Sequence, residues 1–110
     1  MDIIQNSDNP ISLAYTTSNE DRNVNGMVHG GVIYYLCDEA VGRQVTQMGK
    51  VGAAADGSIH YYRPLRLGER ITVTVFERKI GRRLGVFAVE ARNDPGKLIA
   101  DALFTIAFVE

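Results

Sequence analysis

One cysteine in 110 residues, Cys37, excludes an intrachain disulfide and a cysteine-rich metal site. Only two histidines, His29 and His60, are present, and they lack the i,i+4 or H-x-x-x-H spacing of a metal pair, so no metal is expected. Charge of either sign is not in excess: the net charge is −1, which points to neither nucleic acid nor an acidic membrane as partner. No apolar run approaches the roughly 20 residues that a membrane span requires. The first residues, Met1-Asp2-Ile3-Ile4-Gln5-Asn6, show no basic stretch followed by an apolar one, so no signal peptide is expected and the cytoplasm is the expected location. What remains has ordinary globular composition, 45% hydrophobic and 23% charged, at a length that suits one domain spanning 1–110.

The most informative stretch runs from His29 through Gly30 and Gly31 to Asp38. Two glycines open an apolar run free of proline that continues to Met48, which predicts a helix from about Gly30 to Met48 with Gly49 as C-cap. The first N–H groups of a helix lack intrahelical partners, so Gly30 and Gly31 offer donors to a polarised oxygen, and glycine admits close approach. Of the two acids on this helix, Glu39 has Arg43 four residues on, a solvated pair. Asp38 has no basic residue at i+3 or i+4 and falls among Tyr34, Val41, Gly42 and Val45, where partial burial is expected. Two readings of Asp38 stand: a base kept for chemistry, or an acid at the edge of the buried face bonded to nearby backbone.

Along the rest of the chain, 1–10 reads as a loosely ordered lead-in and Ile11–Thr16 as a strand. Ser18–Asn25 reads as loop. After the helix come four strands: 51–62, weakened by glycine and alanine; Arg70–Lys79, with Ile71, Val73 and Val75 on one face; Leu84–Arg92; and the strongly apolar Leu98–Val109. Gly81-Arg82-Arg83 and Asn93-Asp94-Pro95-Gly96 are turns. The economical α+β arrangement is an antiparallel sheet curved round one long helix. Apolar residues on both faces of the last strand call for a dimer or larger oligomer.

Asn23-Val24-Asn25-Gly26-Met27-Val28-His29-Gly30-Gly31 with Asp38 beyond resembles the N-x-x-G-x-x-H-G-G…D signature of the hot-dog-fold acyl-CoA thioesterases, in their PaaI-like branch. Tyr62-Arg63-Pro64 with Leu67-Gly68-Glu69 resembles that family's Y-x-R-P-x-x-x-G-E stretch. The resemblance implies a five-stranded antiparallel sheet round a central helix, subunits paired into a homodimer or homotetramer, and active sites at the interface. It implies hydrolysis of an acyl- or aryl-CoA thioester. The Gly30 N–H would polarise the carbonyl, Asp38 of the neighbouring subunit would act as base or nucleophile, and Asn23 would hold thioester or water. Where some relatives carry an assisting Ser or Thr, this chain has Ala54, with Asp56 and Ser58 nearby. Coenzyme A would be part of the substrate, and no cofactor is expected. A non-catalytic acyl-CoA-binding module on the same fold is the alternative.

The other polar residues divide between binding and plain structure. His29 suits orienting the loop better than acting as base, and Cys37 on an apolar helix suits inert core better than a nucleophile. Gly31 extends the donor site, and Tyr34 is a core or pocket aromatic. Coenzyme A phosphates need cations, for which Arg82 and Arg83 at a turn, or Arg63, are candidates against the alternative of ordinary solvated arginines.

Overall fold

His29 starts the helix in place of the usual Ser or Asp cap. Its backbone is extended (φ −64°, ψ 132°) and its ring nitrogen Nδ1 accepts the N–H of Gly31 at 3.0 Å. In the computed structural model, which describes residues 1–109, helix α1 then runs Gly30–Gln47. It ends as the Gly49 backbone turns to φ 76°, a left-handed value that glycine adopts without strain, while the Lys50 N–H closes back on the Val45 carbonyl at 3.2 Å.

Six strands form one antiparallel sheet: β1 (Ile4–Asp8), β2 (Ile11–Thr16), β3 (Val51–Tyr61), β4 (Arg70–Ile80), β5 (Leu84–Asn93) and β6 (Leu98–Val109). Their spatial order is β1-β2-β4-β5-β6-β3, so β3 is one edge and β6 lies inside. Alternate residues of β2, β4, β5 and β6 (Leu13, Val73, Phe87 and Phe104 among them) meet Ile33, Leu36, Val41 and Val45 of the helix. Burying each such side chain is worth about 1.5–3 kcal/mol. Cys37 and Ala40, both fully buried, are small enough to let the helix lie close on the sheet. This is the hot-dog arrangement.

The lead-in differs from its expected loose order. Residues 4–8 pair with 11–14 of β2 as a sixth strand, with a register irregularity between Gln5 and Ser7. Most of its side chains are exposed, so backbone hydrogen bonds hold it and no hydrophobic alternation marks it. The glycines of β3 have a packing reason. A Cβ on Gly57 would collide with the Tyr34 hydroxyl and approach the Phe104 ring to 3.0 Å.

Polar groups tie the layers where apolar contact ends. Buried Gln44 accepts the Ile11 N–H at 3.0 Å and donates to Glu77 at 2.7 Å, joining helix, β2 and β4. Buried Asp21, at the end of a short 3-10 turn (Asn19–Asp21), accepts the Tyr15 hydroxyl at 2.6 Å and the Ser18 N–H at 2.8 Å. Its own carbonyl accepts the His29 N–H at 2.7 Å.

Candidate active site

The start of the helix opens into a cavity of about 390 Å³ lined by Asn23, Met27, Gly30, Tyr61, Tyr62 and Arg63, among others. Of the two glycine amides, that of Gly31 is taken by His29, while the Gly30 N–H has no hydrogen-bond partner among the described residues. The free donor is therefore at Gly30, at the positive end of α1. Because His29 Nδ1 accepts a proton donor, a neutral His29 carries its proton on Nε2. His29 thus holds the Gly31 N–H at the start of the helix, and it is exposed.

Asn23 lines the same cavity, but its oxygen is spent on the loop. Oδ1 accepts the N–H groups of Asn25 (2.8 Å) and Met27 (3.1 Å). Only its Nδ2 amide is left to face a ligand, as a donor to an acceptor oxygen. Tyr61 also lines this cavity, although the sequence alone does not single it out. Its hydroxyl donates to the Gly30 carbonyl at 2.7 Å, and burial, with Cys37 and Tyr34 nearby, pushes its phenol above the ordinary value. Spacing held a signal for it, since Y-x-R-P fits residues 61–64 with Tyr61 as its first member. Tyr62 donates instead to Asp101 at 2.8 Å, and that bond raises its own phenol.

Asp38 is exposed rather than partly buried. The sheet covers one side of α1 only, leaving Gly31, Tyr35, Asp38, Gly42 and Thr46 as an open stripe, each three or four residues from the next. Among the described residues no hydrogen bond or ion pair engages the Asp38 carboxylate, whereas Glu39 holds Arg43 at 2.8 Å. Asp38 lines a second groove with Lys50, Val51, Gly52, Ala54 and Ile106. It lies eight residues along the helix from Gly30, about 12 Å of rise. One chain therefore does not bring Gly30 and Asp38 together.

The remaining candidates divide. Ala54 lines the same groove as Asp38 and brings no hydroxyl to it. Past a bulge between Ala54 and Asp56, Ser58 lines another cavity, with His60, Arg78 and Asp101. Tyr34 packs on Phe104, ring centroids 5.4 Å apart, and does not line the Gly30 cavity. Arg63 lines it. Arg83 lies at the other end of the sheet, where its carbonyl accepts the Phe108 N–H at 2.8 Å. Phe108 pairs with Gly52 and Gly30 adjoins Tyr61, so β3 separates Arg82 and Arg83 from Gly30 by about 30 Å within one chain. Among the described residues, no three His, Cys, Asp or Glu side chains are grouped to hold a metal ion. No helix there is long and apolar enough to cross a membrane.

Burial pushes the Cys37 thiol up to about 12, with Asp38 and Asp101 adding to the effect. A buried thiol held protonated in this way is poorly suited to act as a nucleophile. At pH 8 a thiol-labelling reagent should leave the native protein unmodified and label one site after denaturation; Cys37→Ala should keep kcat within about twofold, since no reacting group is removed. Rapid labelling of the native protein would contradict this.

Residues 25–100 match the thioesterase superfamily. Human acyl-coenzyme A thioesterase 13 is 35% identical over 78% of this chain and 64% of its own length, so this chain spans somewhat less than two thirds of that relative. The PaaI protein of E. coli, from the phenylacetic acid degradation operon, superposes with a TM-score of 0.91 at 25% identity, covering 99% of this chain and 79% of that one. A hypothetical thioesterase of Streptococcus pneumoniae TIGR4 with coenzyme A superposes equally well, at 27% identity, over 98% of this chain and 84% of that one. The chain belongs to the thioesterase superfamily, as a thioester hydrolase of the PaaI-like hot-dog type.

Proposed function

We propose that the protein hydrolyses an acyl-CoA or aryl-CoA thioester to free acid and coenzyme A, as a cytoplasmic homodimer or homotetramer with its active sites between subunits. One observation carries this reading: an amide at Gly30 and a carboxylate at Asp38, both without a partner among the described residues, open beside the same uncovered edge strand. β3 has 11 residues, is exposed along nearly all its length, and ends the sheet. An edge this long is ordinarily covered. Antiparallel pairing of β3 with its copy reverses the strand, carrying the Val51 end of one chain to the Tyr61 end of the other. The Asp38 groove and the Arg82-Arg83 turn of the second copy then approach the Gly30 cavity of the first.

In that arrangement the thioester carbonyl accepts from Gly30 N–H and the Asn23 amide. Asp38 of the partner subunit either takes a proton from a water that attacks the carbonyl carbon, or attacks that carbon itself. The second route forms a mixed anhydride, which water then hydrolyses to the free acid and the restored carboxylate. As the tetrahedral intermediate collapses, the C–S bond breaks and coenzyme A leaves as thiolate. Charge developing on the oxygen meets a donor already in place, which is commonly worth about 2.7–4 kcal/mol of barrier. The chemistry calls for no cofactor, since coenzyme A arrives within the substrate.

A thiol-release assay over short, medium, long and aryl acyl-CoAs tests the reading. Release of free coenzyme A from at least one class is expected. Tight binding without release would favour the acyl-CoA-binding module, for which Ala54, a residue with no hydroxyl in the Asp38 groove, is the favouring observation. Reversing both charges at Arg82 and Arg83 should raise KM several-fold at low salt and less at high salt, as screening predicts. An unchanged KM at low salt would remove those residues from the binding site.

A further inference from the structure

We propose that Tyr61 is a positioning residue for the reaction, holding the Gly30-Gly31 turn and, through it, His29. The inference rests on the thioesterase reading but has a readout of its own. Both ends of one peptide group are engaged. Its carbonyl, on Gly30, accepts the Tyr61 hydroxyl at 2.7 Å, and its N–H, on Gly31, donates to His29 Nδ1 at 3.0 Å. A hydrogen bond at one end of a peptide polarises the other, so the two bonds strengthen each other. The result is a relay from Tyr61 through a backbone amide to His29, which fixes Nδ1 as the acceptor and so puts the proton of a neutral ring on Nε2.

Tyr61 also sets the turn by contact. A Cβ at Gly30 would lie 3.0 Å from the Tyr61 oxygen and 3.1 Å from the ring carbon bearing it. The ring thus fills the space that a side chain at 30 would need, and residue 30 stays open only on its amide side. The ring's base is firm, since Tyr61 pairs with Ala100 and the next N–H, that of Tyr62, donates to the Ile99 carbonyl at 2.8 Å. Yet Tyr61 is 49% exposed, so filling the core does not account for a tyrosine here. Its raised phenol remains a donor at neutral pH.

Tyr61→Phe keeps the ring and removes the donor. Expected are a kcat lower by about fivefold to tenfold, the worth of one hydrogen bond, with KM within about twofold. In the unaltered protein the ¹⁵N spectrum should show His29 with a bare Nδ1 and a protonated Nε2. In Tyr61→Phe it should move towards a mixture of the two tautomers. Gly30→Ala, which pushes the ring away from the other side, should move the His29 signal likewise and serves if Tyr61→Phe does not fold. A kcat within twofold of the unaltered value, a loss confined to KM, or an unmoved His29 signal would each overturn the proposal. Absence of thioester hydrolysis in the unaltered protein would instead sink the activity, leaving the His29 signal to decide the relay.

Discussion

Asp38→Asn should fold as the unaltered protein does and lose about 10²- to 10⁴-fold in kcat, the usual worth of a general base. Asparagine has nearly the same shape, and Asp38 makes no hydrogen bond or ion pair among the described residues that the change could break. An exposed helix position without partners ordinarily tolerates substitution within about 0.5 kcal/mol. A large kinetic loss with an unmoved melting temperature would therefore show a chemical rather than a structural role. Mixed subunits sharpen the test. If Asp38 serves the neighbouring chain, a dimer of one Asp38→Asn chain and one Gly30→Pro chain, in which proline at the first helical position removes the donor N–H, joins both lesions at one site and leaves the other intact. About half the unaltered activity should return on mixing the two variants and isolating the hetero-dimer. No recovery would place the acid and the amide in the same chain, against the 12 Å that helix geometry sets between them.

The helix and five of the six strands were legible in the sequence, most plainly where side chains are buried with a period: Ile71, Val73 and Val75 in β4, and Phe87, Val89 and Ala91 in β5. β1 was hidden because backbone pairing needs no pattern of side chains. The Gly30 donor was legible, since two glycines before an apolar run say where a helix begins. The exposure of Asp38 was not, because the wheel of apolar residues round α1 gives no account of how far one sheet wraps it. Nor could sequence show that Asn23 spends its oxygen on Asn25 and Met27, or that Tyr61 reaches the Gly30 carbonyl from 31 residues away. Such contacts between distant residues arise from the way the layers close.

Asp21→Ala should cost about 3–5 kcal/mol, the largest stability loss expected outside the apolar core. The carboxylate is 6% exposed and accepts from both the Tyr15 hydroxyl and the Ser18 N–H. Hydrogen bonds to a charged group are worth about 1.5–3 kcal/mol each, and truncation leaves both donors unpaired. For a domain of this size the melting temperature should fall by roughly 12–20 °C. The effect should reach the active site, because the Asp21 carbonyl holds the His29 N–H at the helix start. Alkaline pH separates this pair from a general loss of packing. Burial, joined by the hydrogen bond to Asp21 and its charge, raises Tyr15 from its ordinary value of 10 to about 12. The folded chain thus holds this proton more tightly than the unfolded one. Stability from the shift is complete below pH 10, and it drains away as pH rises through 12. Without Asp21 the shift shrinks, so the variant has less to lose over that window. Urea unfolding at pH 9 and 11.5 should show the gap between the two proteins narrowing at the higher pH; a constant gap would deny the Tyr15–Asp21 coupling.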